Sequence, residues 1–564
     1  MKFSEMTYKR PDIRMIEKEA QRLSDTIAAA EDADTAEKAY REWDNICRSF
    51  ETALNLCYIH HSINTKDEFY SSENDFFDEN TPAFTQANEK VTKALCRSSF
   101  RDELEERLGK IVFINNDLFI KGFCPDNIPL MKEDNKLITE YEKLIASAHI
   151  EFEGKVCTLS ELGPYKQSPD NDLRRRAWQA ESAFYKEHEK ELDRIYDRMV
   201  QLRTASGKNA GFGDFIPLGY INMSRNCYGK EDIERFREAV IKYIVPIADS
   251  IYRAQAKRTG VPFPMKYEDT SLFYKDGNAL PKGTAEDILE AGRRFYKALS
   301  PETGRFFDFM MENELMDVYS RKGKMQGGYC TELADFHCPF IFANFNGTQG
   351  DVEVITHEAG HAFAAYTNRN SSLLDTMLPT IEACEIHSMT MEFFGYMSAE
   401  EFFGSGSHKY IYKHMADAVT FIPYGTMVDH FQHIAYEKPE LTPAERIEEW
   451  KRLTAVYMPW IDLDGSPFYG EGRAWQRQSH IFERPFYYID YCLAQTVALE
   501  FWEIMQRDRK EAFERYYRLV SMGGTMTFTE LVKAAGLDSP FDENALKSVA
   551  EKVTAFLEEE EKNI

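Results

Sequence analysis

The stretch most suited to chemistry is a pentapeptide of the form H-E-x-x-H that runs from His357 to His361. On a helix, residues four apart lie on one face, so two imidazoles at this spacing can hold one metal ion. Imidazole nitrogen suits Zn²⁺, which is usually tetrahedral in proteins. Glu358 is poorly placed as a further ligand but well placed to take a proton from a water molecule. The pattern therefore predicts a zinc hydrolase centre that lacks its third ligand.

The alternative is a surface helix that carries two histidines by chance. The neighbouring residues argue against this alternative, because they make the segment apolar on most sides. These residues are Val352, Val354, Ile355, Ala359, Ala362, Phe363, Ala364 and Ala365. A helix that is apolar nearly all round is usually buried, and buried imidazoles and carboxylates need partners. The surroundings therefore favour the metal site.

The third ligand must come from elsewhere in the chain. An extended H-E-x-x-H-x-x-G-x-x-H pattern is excluded, because Ala364 and Thr367 stand where it requires glycine and histidine. The remaining option is a glutamate on a following helix, and Pro379 indicates where such a helix starts. Spacing alone does not choose among the carboxylates that this helix offers. They are Glu382, Glu385 and Glu392.

Two stretches, 351–362 and 385–392, resemble the thimet oligopeptidase and oligoendopeptidase F family of zinc peptidases. The resemblance is closest to the oligoendopeptidase F branch, which includes the bacillar Pz-peptidases. It implies that Glu385, which opens an E-x-x-S segment, is the third zinc ligand. It also implies that Glu392 orients a ligating histidine through the other ring nitrogen. Thermolysin-like enzymes place aspartate directly after E-x-x-S, and Met389 at that position favours the oligopeptidase family.

The resemblance extends upstream, over 327–330 and 339–348, to segments that precede the zinc helix in the family. Residues Phe340 to Phe345 are rich in aromatic and β-branched side chains and are followed by Asn-Gly, which predicts a short strand. A strand edge beside a metal can bind an extended peptide through main-chain hydrogen bonds. From composition alone, a buried core strand is an equally good interpretation.

Downstream, 480–491 resembles an aromatic helix that faces the zinc in this family. The resemblance implies that His480, Tyr488 and Tyr491 donate hydrogen bonds to the oxyanion formed at the scissile carbonyl. Phenols suit this role because, with a pKa near ~10, they keep their proton at neutral pH. Tyr487 can hold the role given to Tyr488. Simple packing is the alternative for any one of these tyrosines.

Helical periodicity dominates the rest of the chain. Apolar residues at three-and-four spacing predict helices over 12–62, 66–108, 133–147, 172–206, 231–258, 284–299 and 408–438. Residues 148–159 read as a hairpin. The fold class is therefore mainly α. The resemblance adds two helical lobes that enclose a deep substrate cleft, with a small β-sheet beside an H-E-x-x-H zincin helix. It gives an N-terminal lobe over about 1–200 and a catalytic lobe over 201–564.

Composition limits the partners and the location. The 564 residues carry a net charge of −26, which argues against nucleic acid, since nucleic acid requires basic patches. The first residues lack the apolar core of a signal peptide, and no window is long enough to span a membrane. Ten cysteines without C-x-x-C are expected to be reduced thiols. A cytoplasmic protein is expected, with its oligomeric state open.

The function expected from these features is that of a zinc-dependent oligoendopeptidase. It would hold one Zn²⁺ per chain through His357, His361 and Glu385, use Glu358 as general base, and cleave internal bonds of short unfolded peptides. A zinc carboxypeptidase or dipeptidyl carboxypeptidase is the alternative, and it would need a cation for the substrate's free carboxylate. A non-catalytic zinc-containing peptide-binding protein is a further alternative. Glu358 and an open ligand position argue against it, since structural zinc sites are usually closed by four protein ligands.

Overall fold

The first third of the chain is helical in the computed structural model, which describes residues 1–564. Its helices are α1 (Ile13–Ala28), α2 (Ala33–Ile63), α3 (Glu68–Cys96), α4 (Arg101–Leu108), α5 (Lys110–Gly122), α6 (Ile128–Ala146), α7 (Gly163–Lys166), α8 (Asn171–Glu187) and α9 (Glu189–Asn209). The helical character predicted for 12–62, 66–108 and 172–206 is confirmed, but each range contains two helices. Aspartate caps explain some of these breaks. Asp32, for example, accepts a hydrogen bond from the Thr35 amide and starts α2.

The predicted hairpin is present between α6 and α7. Strands β1 (Ile150–Phe152) and β2 (Lys155–Cys157) pair antiparallel, with Ile150 opposite Cys157. The two turn residues, Glu153 and Gly154, both have positive φ. Glycine adopts such a backbone conformation without steric cost, which explains its place in this turn.

The middle of the chain continues as helices up to a second sheet. These helices are α10 (Ile216–Asn222), α11 (Lys230–Ala239), α12 (Val245–Thr259), α13 (Tyr267–Thr270), α14 (Ala285–Leu299) and α15 (Pro301–Glu312). The helix predicted over 231–258 is confirmed, with a π-helical segment, Val240–Ile244, between α11 and α12. It ends at Gly260, whose left-handed backbone (φ 80°) closes the last turn.

The second sheet has three strands, β3 (Met316–Tyr319), β4 (Tyr329–Leu333) and β5 (Cys338–Phe345). The predicted strand at Phe340 to Phe345 is confirmed as part of β5. However, β5 lies in the centre, parallel to β3 and antiparallel to β4. Its nearly continuous burial follows from neighbours on both sides. The interpretation of this segment as a strand edge is therefore wrong, and β4 is the edge strand that follows the Gly327-Gly328 pair.

Two buried helices, α16 (Gly350–Asn368) and α17 (Ile381–Phe394), follow this sheet. The Asp351 carboxylate fixes the turn from β5 into α16, because it accepts hydrogen bonds from the backbone amides of Asn346 (2.9 Å) and Gly347 (2.8 Å). Thr380 is the N-cap of α17, directly after Pro379, as the proline predicts.

The remaining helices are α18 (Ala399–Phe403), α19 (Ser407–Glu437), α20 (Pro443–Tyr457), α21 (Ser479–Glu483), α22 (Tyr488–Arg507), α23 (Arg509–Ser521), α24 (Phe528–Ala534) and α25 (Glu543–Glu560). The helix predicted over 408–438 is confirmed as α19. α22 packs against both α17 and α19, which brings the aromatic residues at its start toward the H-E-x-x-H helix. No helix is both long and apolar enough for a membrane span.

The apolar side chains form two cores. The smaller core lies among α1–α5 and includes Trp43 and Phe50, with Leu373 as a contribution from far along the chain. The larger core contains residues from α6 through α25 and surrounds α16 and α17. Helices α6–α9 therefore share the larger core, while the division into lobes near residue 200 stays a prediction.

Candidate active site

The H-E-x-x-H pair and one glutamate converge between α16 and α17. His357 Nε2 lies 3.4 Å and His361 Nε2 3.3 Å from Glu385 Oε2. The candidate ligand atoms of these three residues all lie within 4.8 Å of one another. Two imidazole nitrogens and a carboxylate oxygen at such spacing suit a single Zn²⁺ with further positions open. Among the carboxylates that spacing left open, Glu385 is the one that joins the two histidines.

A glycine makes this convergence possible. Gly360 lies between the two histidines on α16, and a Cβ added there would lie 2.6 Å from both His387 O and Ser388 Cα of α17. Real Cβ atoms essentially never approach so closely, so only glycine lets the two helix backbones meet here. This contact brings Glu385 to the pair of imidazoles.

Glu392 lies behind the first histidine. Its Oε1 is 2.6 Å from His357 Nδ1, and its Oε2 is 2.7 Å from His414 Nε2 on α19. Tyr396 then contacts His414 Nδ1 at 2.8 Å. The contact to Nδ1 leaves His357 Nε2 facing the ligand position, the arrangement expected of a carboxylate that orients a metal ligand. His414 could not be identified from the sequence, because no local motif links it to Glu392, which lies 22 positions earlier.

Glu382 has a different position. Its side chain is fully buried, and neither carboxylate oxygen has a hydrogen-bond partner. Burial, followed by the neighbouring Asp490 carboxylate, raises the pKa of Glu382 to about 8. Glu382 is not among the residues whose candidate ligand atoms converge.

Glu358 lies beside the ligands without being one of them. Its side chain is 8% exposed and forms no hydrogen bond with another side chain, so its carboxylate is free to meet a water molecule. Burial raises the pKa of Glu358 above that of an exposed glutamate, which suits a group that must accept and release a proton. A Cβ added at Gly328 would lie 3.5 Å from Glu358 Oε1, so this glycine keeps the space beside the carboxylate open.

Two hydroxyl groups contact the Glu385 carboxylate. Ser388, one turn later on α17, donates to Oε2 at 3.0 Å. Tyr487, just before α22, donates to Oε1 at 2.5 Å. The E-x-x-S spacing thus has a local structural reason, since the serine holds the proposed ligand from its own helix.

Tyr488 is directed differently from Tyr487. Its ring packs against Phe421 and Tyr424, with ring centroids 5.6 and 5.8 Å away, and lies 5.1 Å from the His480 ring. The structure does not bring its hydroxyl into hydrogen-bond contact with Glu385 or Glu358. Of the two neighbouring tyrosines that the sequence left open, Tyr487 is the one that reaches the ligand set, because Tyr488 begins α22 on a different face.

His480 and Tyr491 lie together on the same side of the site. The Tyr491 hydroxyl is 3.4 Å from His480 Nε2. On the other side of the ring, Gln478 Nε2 is 3.0 Å from His480 Nδ1, while the Tyr424 hydroxyl donates to Gln478 Oε1 at 2.9 Å. Since Oε1 accepts from Tyr424, the Gln478 amide nitrogen is the donor to Nδ1, which leaves the ring proton on Nε2.

The His480 ring is neutral at neutral pH. Burial lowers the pKa of His480 to about 4. A neutral imidazole with its proton on Nε2 can donate a hydrogen bond toward the site. Sequence reasoning did not identify Gln478 and Tyr424, because a glutamine two residues from a histidine and a tyrosine on another helix carry no distinctive spacing.

Two family models match most of the chain. The Peptidase M3 N-terminal domain matches residues 3–123, and Peptidase family M3 matches residues 304–551. The second match contains every candidate ligand and the aromatic segment around His480.

Several known peptidases are similar to this chain in sequence or in structure. PZ peptidase A, solved with an inhibitor, is 44% identical to this chain, and the alignment covers 99% of both chains with a TM-score of 0.97. A Bacillus anthracis protein provisionally named oligoendopeptidase F is 40% identical, with 99% and 98% of the two chains covered and a TM-score of 0.93. Oligopeptidase PepF of Bacillus subtilis is 25% identical over 44% of this chain, and the match spans only 38% of PepF.

Proposed function

The chain belongs to peptidase family M3, and on this premise we propose that it is a zinc-dependent oligoendopeptidase. Its substrates would be short unfolded peptides that enter a cleft between two lobes and are cut at internal bonds. The observation that carries the proposal is the convergence of His357, His361 and Glu385 with the free carboxylate of Glu358 beside them.

The donor set fits one Zn²⁺ per chain. His357 and His361 present Nε2 toward Glu385, and Glu392 occupies the opposite nitrogen of His357. Zinc held by two imidazoles and one carboxylate acts as a Lewis acid toward a carbonyl and lowers the pKa of water. No fourth protein ligand closes the set, which supports a catalytic rather than a structural site.

Glu358 would act as the proton carrier. Its carboxylate accepts a proton from the attacking water and later delivers that proton to the nitrogen of the departing peptide. Burial raises its pKa, so the proton is held long enough to be delivered. The absence of a competing side-chain partner for Glu358 supports this role.

Tyr491 and His480 would stabilise the oxyanion by donating hydrogen bonds from the phenol and from Nε2–H. We propose Tyr487 as the additional phenol in preference to Tyr488, because the Tyr487 hydroxyl already lies at the ligand set. Once substrate is bound, that hydroxyl can exchange the Glu385 oxygen for the carbonyl oxygen next to it.

The substrate backbone would lie along the edge strand β4. Its first residues, from Tyr329 to Thr331, are joined to Gly328, whose missing side chain leaves space beside Glu358. Further along, the carbonyl of Glu332 already accepts a hydrogen bond from Asn55 of α2 at 2.8 Å. Pairing with a peptide is therefore proposed for the start of β4, next to the proton carrier.

A cytoplasmic location is proposed from the cysteines. All ten are free thiols, five of them buried, as expected for a protein kept in a reducing compartment. The proposed partners are peptides alone, since the net charge of −26 disfavours nucleic acid.

The test uses a doubly end-blocked, internally quenched peptide of about ten residues. The purified protein should cleave it at an internal bond, and both zinc chelation and Glu358→Gln should remove the cleavage. Trimming of free-ended peptides without cleavage of the blocked one would instead establish an exopeptidase. Zinc binding without any turnover would favour the peptide-binding protein.

A further inference from the structure

Arg477 is an exposed cation without an acidic partner. It ends the short 3-10 helix Ala474–Arg477, directly after Trp475 and Gln476, which are fully buried. Arg473 at the start of the same segment pairs with Glu189 and Asp193, whereas no carboxylate lies within ion-pair distance of Arg477. A guanidinium is more weakly hydrated than an ammonium group and presents several N–H donors in one plane, so a guanidinium without an acidic partner is available to a ligand.

The surroundings of Arg477 are phenolic. Its guanidinium carbon lies 5.8 Å from the Tyr469 ring centroid. Tyr424 and Tyr185 are also neighbours, and burial raises the pKa of the Tyr424 phenol while the Arg477 charge acts in the opposite sense. Tyr469 and Tyr185 are only 2% and 5% exposed. The exposed guanidinium therefore borders a space that has buried phenol rings on its other side.

The one acidic neighbour is already occupied. Glu181 is 4% exposed, pairs with Lys166 at 2.6 Å, and accepts a hydrogen bond from the Tyr469 hydroxyl. Lys166 in turn lies over the Trp178 ring at 4.2 Å. Both charges of this pair are therefore satisfied, and Arg477 is left as the cation of this space.

Arg477 is joined to the candidate active site by its neighbour in the chain. Gln478 binds the Tyr424 hydroxyl on one side and His480 Nδ1 on the other. Tyr424, which lies beside the Arg477 guanidinium, thus also holds Gln478, and Gln478 orients His480. Arg477 is therefore the residue directly before the glutamine that orients His480, one of the proposed oxyanion donors.

We propose that Arg477 binds a carboxylate of the peptide substrate. This inference rests on the proposed peptidase function. A guanidinium supplies the N–H donors that a carboxylate accepts, often in a bidentate manner. The carboxylate can be the free C-terminus or the side chain of an acidic residue. In either case, Arg477 would set the distance between that group and the bond that is cleaved.

The experiment compares three quenched peptides with an acetylated N-terminus and one common sequence without acidic residues. The first has a free C-terminus and the second has a C-terminal amide. The third kind is a series of amidated peptides, each with one glutamate in place of a glutamine at a different position after the cleaved bond. Arg477→Gln, Arg477→Lys and, as a matched control, Arg484→Gln are measured beside the wild type. Arg484 is likewise exposed and free of ion pairs and lies seven residues further along the chain.

The wild type should cleave a carboxylate-bearing peptide with a kcat/KM about tenfold above that of the neutral amide, as expected for a charge-assisted hydrogen bond. Arg477→Gln should lose this preference through KM, Arg477→Lys should keep part of it, and Arg484→Gln should keep all of it. Preference for the free end identifies the C-terminus, and preference for one glutamate position identifies a side chain.

Equal cleavage of all three peptides by the wild type would overturn the proposal without any variant. A preference that survives Arg477→Gln, or that is lost in Arg484→Gln, would also overturn it. Zinc-dependent cleavage of the neutral amide separates this result from a failure of the peptidase function itself, which would leave every peptide intact.

Discussion

The ligand cluster (His357, His361, Glu385 and Glu392) and the donor segment (478–491) lie side by side but are held in different ways. In the ligand cluster, helix backbones touch at Gly360, and Glu392 contacts two imidazoles at 2.6 and 2.7 Å. The two contacts of Glu392 join α17 to α16 and α19. The imidazole of His357 is therefore held from behind by a residue of a neighbouring helix.

The donor segment is held by Gln478 at its start and by the 2.5 Å hydrogen bond from Tyr487 to Glu385, while its contact between His480 and Tyr491 is longer. Gln478 fixes the His480 ring at 3.0 Å, but the contact from that ring to the Tyr491 hydroxyl is 3.4 Å. His480, Tyr487 and Tyr491 are all partly exposed. His480 and Tyr491 are therefore not committed to a short hydrogen bond with each other, and both can donate to a negative oxygen when it forms in the transition state.

Because the ligand cluster and the donor segment are held differently, we expect them to respond differently to substitution. Changes in the ligand cluster should alter metal affinity and folding, because its residues support one another. Changes in the donor segment should alter turnover and leave the fold intact.

Glu358 lies beside the ligand cluster and forms no hydrogen bond with another side chain, so Glu358→Gln should leave the cluster intact. We expect kcat to fall by at least about 10³-fold, because the proton carrier is removed. Zinc content, measured by elemental analysis, should stay at one ion per chain. Loss of zinc together with activity would contradict the separation of Glu358 from the ligands.

Tyr487→Phe and Tyr488→Phe form a matched pair in the donor segment. We expect Tyr487→Phe to lower kcat by about 10²-fold, as for the loss of one oxyanion donor, with Tyr488→Phe reducing it less. Steady-state kinetics on the blocked peptide would measure both. A larger loss for Tyr488→Phe would show that the phenols exchange positions on substrate binding.

Glu392→Gln should weaken the ligand cluster without removing a ligand. We expect zinc affinity to fall by about 10- to 100-fold, because His357 loses the carboxylate that orients it and raises its basicity. Competition with a zinc chelator of known affinity would measure this. Gln478→Leu in the donor segment is the control, and it should leave zinc affinity unchanged.

Gly360→Ala tests the backbone contact between α16 and α17. We expect a destabilisation of about 1–3 kcal/mol, since the added methyl group has no space against His387 and Ser388. Thermal unfolding of the zinc-free protein would measure it. Gly213→Ala, where nothing lies within 4 Å of the added atom, is the matched control and should cause no such loss.

Gln478→Leu should lower kcat by about tenfold or less, because the His480 ring loses the contact that orients it. The shape of the pH profile between pH 5 and pH 8 should not change. Burial lowers the pKa of His480 to about 4, so this imidazole stays neutral throughout that window and takes up a proton only as the pH falls toward 4. A new acid limb near pH 6 in the wild type that disappears in His480→Phe would contradict this.

Much of the fold could be predicted because helical periodicity is local. The ranges 284–299 and 408–438 correspond closely to α14 (Ala285–Leu299) and α19 (Ser407–Glu437). The breaks inside the longer ranges were missed, since caps such as Asp32 act over three residues within otherwise continuous periodicity. The position of β5 in its sheet was also missed, because strand order depends on partners distant in sequence.

Within the candidate site, the side chains able to bind a metal ion and to accept a proton could be identified from the sequence. The spacing of His357, Glu358 and His361 on one helix predicts a zinc site, and the resemblance of the E-x-x-S segment to its counterpart in the family implies Glu385 as the third ligand. Such local patterns survive any tertiary arrangement, because the geometry of one helix turn is the same everywhere.

Only the tertiary structure decided which residues complete the site. It brought Glu392 to both His357 and His414, chose Tyr487 over Tyr488 at Glu385, and left Arg477 free beside Tyr424. These outcomes depend on how α16, α17, α19 and α22 pack and rotate against one another. Packing of that kind is set by the whole core at once, and no short stretch of sequence carries it.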